Sequence, residues 1–266
     1  MTRRFWWGDF TAREFEGLDP NETIAVLPIA AIEQHGPHLP VSTDSTIMRG
    51  MLETAFALVP AELDIRVLPV QCIGKSNEHI RSPGTLTLDY ATAIAAWTQI
   101  GESVARAGVR KLVIVNAHGG NEEMMGIVAR ELRVRHDMLV VKTSFFRFGF
   151  PEGLFSARNA AFGIHGDDYE TSLMLHFAPD MVRMDLAQDF TSMAERAKAE
   201  FAHIAPTGTH AFAWIADDLN PDGVVGEAHL ANAEKGVAVA AHQALGFVEL
   251  LDDVARARLS DWIVSR

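Results

Sequence analysis

Cysteine is almost missing from this 266-residue chain: Cys72 is the only one. A single thiol forms neither an intrachain disulfide nor a thiolate zinc site, so any metal here must be held by His, Asp and Glu. Positive charge is also scarce, with 23 Lys and Arg against 35 Asp and Glu and a formal net charge of −12. Nucleic-acid binding draws its affinity from clustered Lys and Arg, and the pairs Arg3-Arg4 and Arg110-Lys111 make no such patch. No apolar run approaches a membrane-spanning length, and Gly8-Asp9 breaks the opening aromatic segment before a secretory apolar stretch forms. These absences predict a cytoplasmic protein that partners neither nucleic acid nor membrane. With no linker, repeat or low-complexity tract to divide it, the chain reads as one domain over residues 1–266.

Short apolar runs bounded by turn residues predict strands at Ile24–Ala31, Ile65–Val70, Leu112–Asn116 and Met138–Thr143. Helical spacing of apolar residues falls between them, over Ser45–Leu58, Tyr90–Ala107 and Asn121–Val134. Strands alternating with helices of this length imply parallel pairing, a sheet covered on both faces and an α/β fold. Further along, helices are expected at Thr171–Phe177, Ala194–Ala202 and Asn232–Leu251, and the Pro/Gly-rich stretch His203–Glu227 reads as loop.

In an open parallel sheet, functional groups collect beyond the carboxyl ends of the strands. The first predicted strand runs into Glu33-Gln34-His35-Gly36-Pro37-His38-Leu39-Pro40, with Asp44 following. Residues two apart on an extended backbone share a face, so Glu33 and His35 converge. Asp44 then either caps the next helix or offers one oxygen to each of two cations. His38 is a catalytic candidate or an ordinary loop residue. A later strand ends in Asn116-Ala117-His118-Gly119-Gly120-Asn121, where the glycines let backbone approach a ligand and Asn121 is placed to cap the following helix. The third segment is His165-Gly166-Asp167-Asp168-Tyr169-Glu170. Its aspartates suit a helix start, while Glu170 is positioned to face a site. Glu78 and His79 form either a substrate-contacting pair or a pair that steadies its own turn. Imidazoles and carboxylates without sulfur suit Zn²⁺, Mn²⁺ or Fe²⁺, and two cations sharing a carboxylate support hydrolysis. A two-metal phosphoesterase is the rival enzyme class, but few basic residues lie near these motifs to neutralise a phosphate.

The Glu-Gln-His-Gly-Pro-His-Leu-Pro run with Asp44, the Asn-Ala-His-Gly-Gly-Asn run and the Asp-Tyr-Glu-Thr-Ser run resemble the three signatures of the creatininase (creatinine amidohydrolase) family. Gly74–His79, Pro83–Leu86 and Gly223–Glu227 extend the resemblance from about Thr23 to Gly236. It implies a three-layer α/β/α sandwich with a mostly parallel central sheet and two divalent metal ions per chain, zinc foremost and manganese or iron otherwise. It further implies a homohexamer acting on non-peptide C–N bonds of a small-molecule amide, lactam or formamide. By residue-wise carry-over Glu33, His35, Asp44 and His118 are metal ligands with Asp44 bridging, and Glu170 is a ligand or the water-activating base. Creatininase proper carries an aromatic residue and a metal-binding Glu after the histidine matched by His118. Here those positions are Gly119 and Gly120, which shifts the expectation toward the Gly-Gly-containing branch and gives Glu170 the place of the missing acid. Gly119, Gly120, Glu78 and His79 are then the substrate-side candidates. A peptide-trimming metallopeptidase of the same family and a metal-binding, non-catalytic oligomer are the alternatives.

Overall fold

The computed structural model describes residues 3–262. Four parallel strands form the central sheet: β1 (Ile24–Ile29), β2 (Ile65–Val67), β3 (Lys111–Asn116) and β4 (Leu139–Ser144), in the spatial order β2-β1-β3-β4. Successive side chains of a strand point to opposite faces, so Ile24 and Val26 enter one core while Ala25, Leu27 and Ile29 enter the other. Helices α1 (Thr43–Phe56), α5 (Asp168–Phe177) and α8 (Ala233–Arg256) cover the first face. The second is covered by α2 (Tyr90–Arg106) and α3 (Glu122–His136), with Trp97 and Leu132 buried between them and the sheet. The result is the expected α/β/α sandwich.

Local chemistry explains the helix starts. Asp89 accepts from Thr92 N at 2.7 Å, Asp167 from Glu170 N at 3.1 Å and Asn232 from Lys235 N at 2.9 Å, each satisfying an N–H left free in the first turn. Pro28 is tolerated in an inner strand because it lies beyond the last β1–β2 register pair, Val26 with Val67. Its carbonyl faces that side and accepts from Gln71 N at 2.9 Å.

The predicted strands and helices all form, with ends shifted by a few residues; β2 is the most shortened, stopping at Val67 before Pro69. The stretch His203–Glu227 departs from its expectation. It holds the short helix α7 (Ala216–Leu219) and the strand β6 (Gly226–Glu227), which pairs antiparallel with β5 (Asp189–Phe190). Two residues of strand carry too little periodicity to be read from sequence. Helices α4 (Ala157–Phe162) and α6 (Met193–Glu200) flank this small sheet.

Strand order decides where the site falls. From β1 the chain crosses to β2 on one side, and it later returns to place β3 on the other. The loops leaving the carboxyl ends of β1 and β3 therefore diverge around a crevice, the usual ligand position in open α/β sheets.

Candidate metal centre

After β1 the chain doubles back on itself. Glu33 N donates to Val41 O at 2.9 Å, His35 bridges Leu39, and Gly36 makes the turn at φ 69°. A side chain at Gly36 would be strained in that backbone region and would collide with Val224, 2.6 Å from its Cβ. The turn buries Glu33 and His35 completely and delivers Asp44, also buried, from the first turn of α1. Asp44 Oδ1 lies 3.2 Å from His35 Nε2 and Oδ2 lies 3.4 Å from His118 Nδ1. No side-chain cap hydrogen bond forms at the start of α1, whose N-cap is Ser42, and the Asp44 carboxylate faces the two histidines.

His118 enters from the end of β3. Asn116 cradles it, accepting from His118 N at 3.1 Å and donating to His118 O at 2.5 Å. Asn121 does not cap α3 as expected. Its amide instead donates to Ala30 O and accepts from Lys75 N, which ties together the loops after β1, β2 and β3.

Hydrogen-bond partners fix which nitrogen each imidazole presents. A backbone carbonyl only accepts, so the ring nitrogen beside one carries the proton. His35 Nδ1 faces Glu33 O at 3.1 Å, His118 Nε2 faces Lys75 O at 3.0 Å, and His165 Nε2 faces Gln34 O at 2.7 Å. In its neutral form each ring therefore aims a lone pair inward: His35 Nε2 toward Asp44 and Glu170, His118 Nδ1 toward Glu33 at 3.1 Å, and His165 Nδ1 toward Glu33 at 3.6 Å. His79 is the reverse case. Gly36 N donates to Gln34 Oε1 at 2.8 Å, so Gln34 Nε2 donates to His79 Nδ1 at 2.8 Å. His79 Nε2 then carries the proton and points it at Glu33, 3.5 Å away.

Both Glu33 oxygens, His35 Nε2 and Asp44 Oδ2 are buried and have no hydrogen-bond partner. Buried charge-bearing atoms left in this state are costly unless they converge on a cation. Among the described residues, Glu33 with His35 and Asp44, Glu33 with Glu78 and His118, Glu33 with His79 and His165, and His35 with His165 and Glu170 bring ligand atoms within 4.8 Å of one another. These donors, all nitrogen and oxygen, suit a divalent cation, except His79, whose Nε2 carries its proton.

The electrostatics carry the same signature. Burial opposes a charged His35, but Asp44, Glu170 and Glu33 outweigh it and hold the imidazolium up to about 10. His118 is likewise raised against burial by Glu33, Glu78 and Asp44. Burial and nearby positive rings push His165 down to about 3 and His79 to about 4, so both stay neutral. Asp44 is raised by burial and by Glu33 despite the attraction of His35.

The structure thus brings together Glu33, His35, Asp44, His118 and Glu170, and adds Glu78, His79 and His165. His165 opens the third motif but was not singled out by sequence, since only folding brings its ring within 4.1 Å of His35. His38 is not drawn into the ligand groups: it bonds Thr171 Oγ1 at 3.0 Å and stacks on Phe190. Two placements differ from expectation around the Gly-Gly pair. Glu170 does not occupy the space above Gly120; it accepts from Gly166 N at 2.7 Å on the His35 side. Glu78 Oε1 stands there instead, 2.0 Å from where a Gly120 Cβ would be. A Cβ on Gly119 would meet nothing within 4 Å.

The parallel α/β/α sandwich thus gathers imidazoles and carboxylates, oxygen and nitrogen donors, at its strand ends. The sequence profile described as creatinine amidohydrolase matches residues 8–251. The chain belongs to the creatininase family. It is 31% identical to the creatinine amidohydrolase of Pseudomonas putida over 71% of this chain and 78% of that protein. It is 30% identical to the mycofactocin precursor peptide peptidase of Mycolicibacterium smegmatis over 67% of this chain and 66% of that protein, just under two thirds of the relative's length. A solved creatinine amidohydrolase (creatininase) superposes with a TM-score of 0.72 at 25% identity, covering 97% of this chain and 100% of that one. Family members are hydrolases.

Proposed function

We propose that this chain is a divalent-metal-dependent amidohydrolase that cleaves non-peptide C–N bonds in a small molecule, with two cations per chain. The observation that carries the reading is Asp44, whose two oxygens face separate histidines at 3.2 and 3.4 Å, the geometry of a bridging carboxylate. On one side of it stand His35 and Glu170, on the other Glu33 and His118. Bound there, a pair of cations supplies Lewis acidity, which lowers the pKa of water and polarises a carbonyl. Zinc is the first choice, with manganese or iron as alternatives; a point mutant of creatininase designated the Zn-Zn type and a manganese creatininase are among the similar solved structures.

Glu170 is the one acid of the His35 side with side-chain exposure, 15%, which suits it to exchange a proton with substrate or solvent. His79 holds its Nε2–H toward Glu33, where it can donate a hydrogen bond to an oxygen seated there. Gly119 leaves the wall bare where the family resemblance places an aromatic side chain, which favours a substrate bulkier than creatinine. The same open wall, with the likeness to the peptide peptidase, supports peptide trimming as the second reading. We further propose a cytoplasmic homohexamer with no nucleic-acid or membrane partner; no helix among the described residues is long and apolar enough to cross a membrane.

Elemental analysis after dialysis tests the metal content, with about two divalent ions per chain expected. A panel of lactams, N-formyl compounds, linear amides and short peptides then assigns the bond. No bound metal under any reconstitution condition overturns the proposal, and turnover of peptides alone decides for the second reading. Glu170→Gln separates the roles of that residue. Loss of one ion with activity marks a ligand, whereas full metal content with turnover down roughly 10²–10⁴-fold marks a proton carrier.

A further inference from the structure

Position 120 has no side chain, yet the volume a side chain would fill is occupied. A Cβ built on Gly120 falls 2.0 Å from Glu78 Oε1, 2.5 Å from His118 Nε2 and 2.5 Å from Lys75 O. Glu78 comes from another chain segment, the single turn Asn77–His79 after β2, so the acid has been supplied by a different loop. Its Oε1 lies 3.2 Å from His118 Nε2, while Nδ1 of the same ring faces Glu33 and Asp44. Lys75 Nζ, 3.5 Å from Glu78 Oε2, and the surrounding protein leave the carboxylate largely buried, with 12% of the side chain exposed.

We infer that Glu78 is the positioning carboxylate of the His118 side of the centre: its negative charge, 3.2 Å from Nε2, favours the proton on that outer nitrogen, so that Nδ1 would offer its lone pair to a cation held with Glu33 and Asp44. Glycine at 120 is required to admit it. The inference rests on the dinuclear reading above. A carboxylate behind a ligating imidazole fixes the tautomer and ring orientation and raises ligand basicity, and removing such a partner typically costs about 10–100-fold in metal affinity. The Nε2–H itself is accepted by Lys75 O at 3.0 Å, with Ser76 Oγ 3.2 Å away. Loss of Glu78 therefore leaves the tautomer in place but strips away the negative charge.

The test compares wild type, Glu78→Gln and Glu78→Ala by titration with Zn²⁺ and with Co²⁺, whose visible absorption reports the ligand set. Expected are two sites in all three proteins, the weaker-binding site loosened about 10–100-fold in Glu78→Ala and less in Glu78→Gln, which keeps an acceptor. The cobalt spectrum at saturation should keep its band positions. Loss of one site together with a changed spectrum would make Glu78 a direct ligand and overturn the positioning role. Two sites with wild-type affinity in Glu78→Ala would overturn any role at the centre. Absence of metal binding by wild-type protein would instead defeat the dinuclear reading itself, so the two failures are distinguishable. Circular dichroism of both variants shows whether the fold is retained; if Glu78→Ala unfolds, Glu78→Gln carries the same comparison.

Discussion

Proton positions decide what each histidine of the centre can do. His35 and His118 have carbonyl partners that hold a proton on the outer nitrogen. In the apo protein the inner nitrogen is protonated too at neutral pH, because nearby carboxylates raise His35 to about 10 and raise His118 as well. A cation needs the neutral ring, so binding at pH 7 must expel these protons. Since the raised groups hold protons until the pH climbs through their folded values, affinity should increase with pH, about tenfold per unit for each proton displaced. Calorimetry in two buffers of different ionisation enthalpy measures the protons released. About two per chain are expected, and none would show that these rings are not ligands.

Among the helices, close approach separates glycines that cannot be replaced from those that can. Gly236 opens α8 against α5, and a Cβ there would lie 2.0 Å from the backbone oxygen of Ser172. Alanine gains up to about 1 kcal/mol of helix propensity, but overpacking against an atom that cannot swing aside costs about 1–3 kcal/mol. Gly236→Ala should lower the urea midpoint and loosen α8 from α5. Gly126, in α3, is the contrast: its added Cβ would meet only Lys142 Cε, at 3.7 Å. Gly126→Ala should leave the fold unchanged and raise stability by up to about 1 kcal/mol. The two midpoints moving the same way would refute this account of the α5–α8 contact.

For the molecule as a whole, only the folded chain brings the proposed ligands together, so on the proposed reading metal binding and folding are coupled. A ligand at 1,000 times its Kd stabilises the native state by about 4 kcal/mol. EDTA should therefore lower the melting temperature by several degrees, and Zn²⁺ or Mn²⁺ should restore it. A melting temperature indifferent to both would argue that the cluster is held by its own hydrogen bonds. The proposed hexamer is checked by light scattering at micromolar protein. With a net charge of −12 per chain, its assembly should weaken at low ionic strength, where like charges are least screened.

Apolar runs and helical spacing in the sequence already indicate the sandwich, because burial of a strand or helix face depends on periodicity within one segment. The three motifs likewise mark Glu33, His35, Asp44, His118 and Glu170, since strand ends and turn residues are local features. Folding alone determines the rest. Whether Asp44 caps its helix or faces two histidines depends on strands β1 and β3 lying side by side. His79 holds its proton inward only because Gln34, from the loop after β1, reaches it. Glu78 stands over Gly120 only because the loops after β2 and β3 meet, 42 residues apart in the chain as counted from Ser76 to His118. Such groups interact through a few ångströms of space rather than along the backbone, so neither spacing nor composition encodes them.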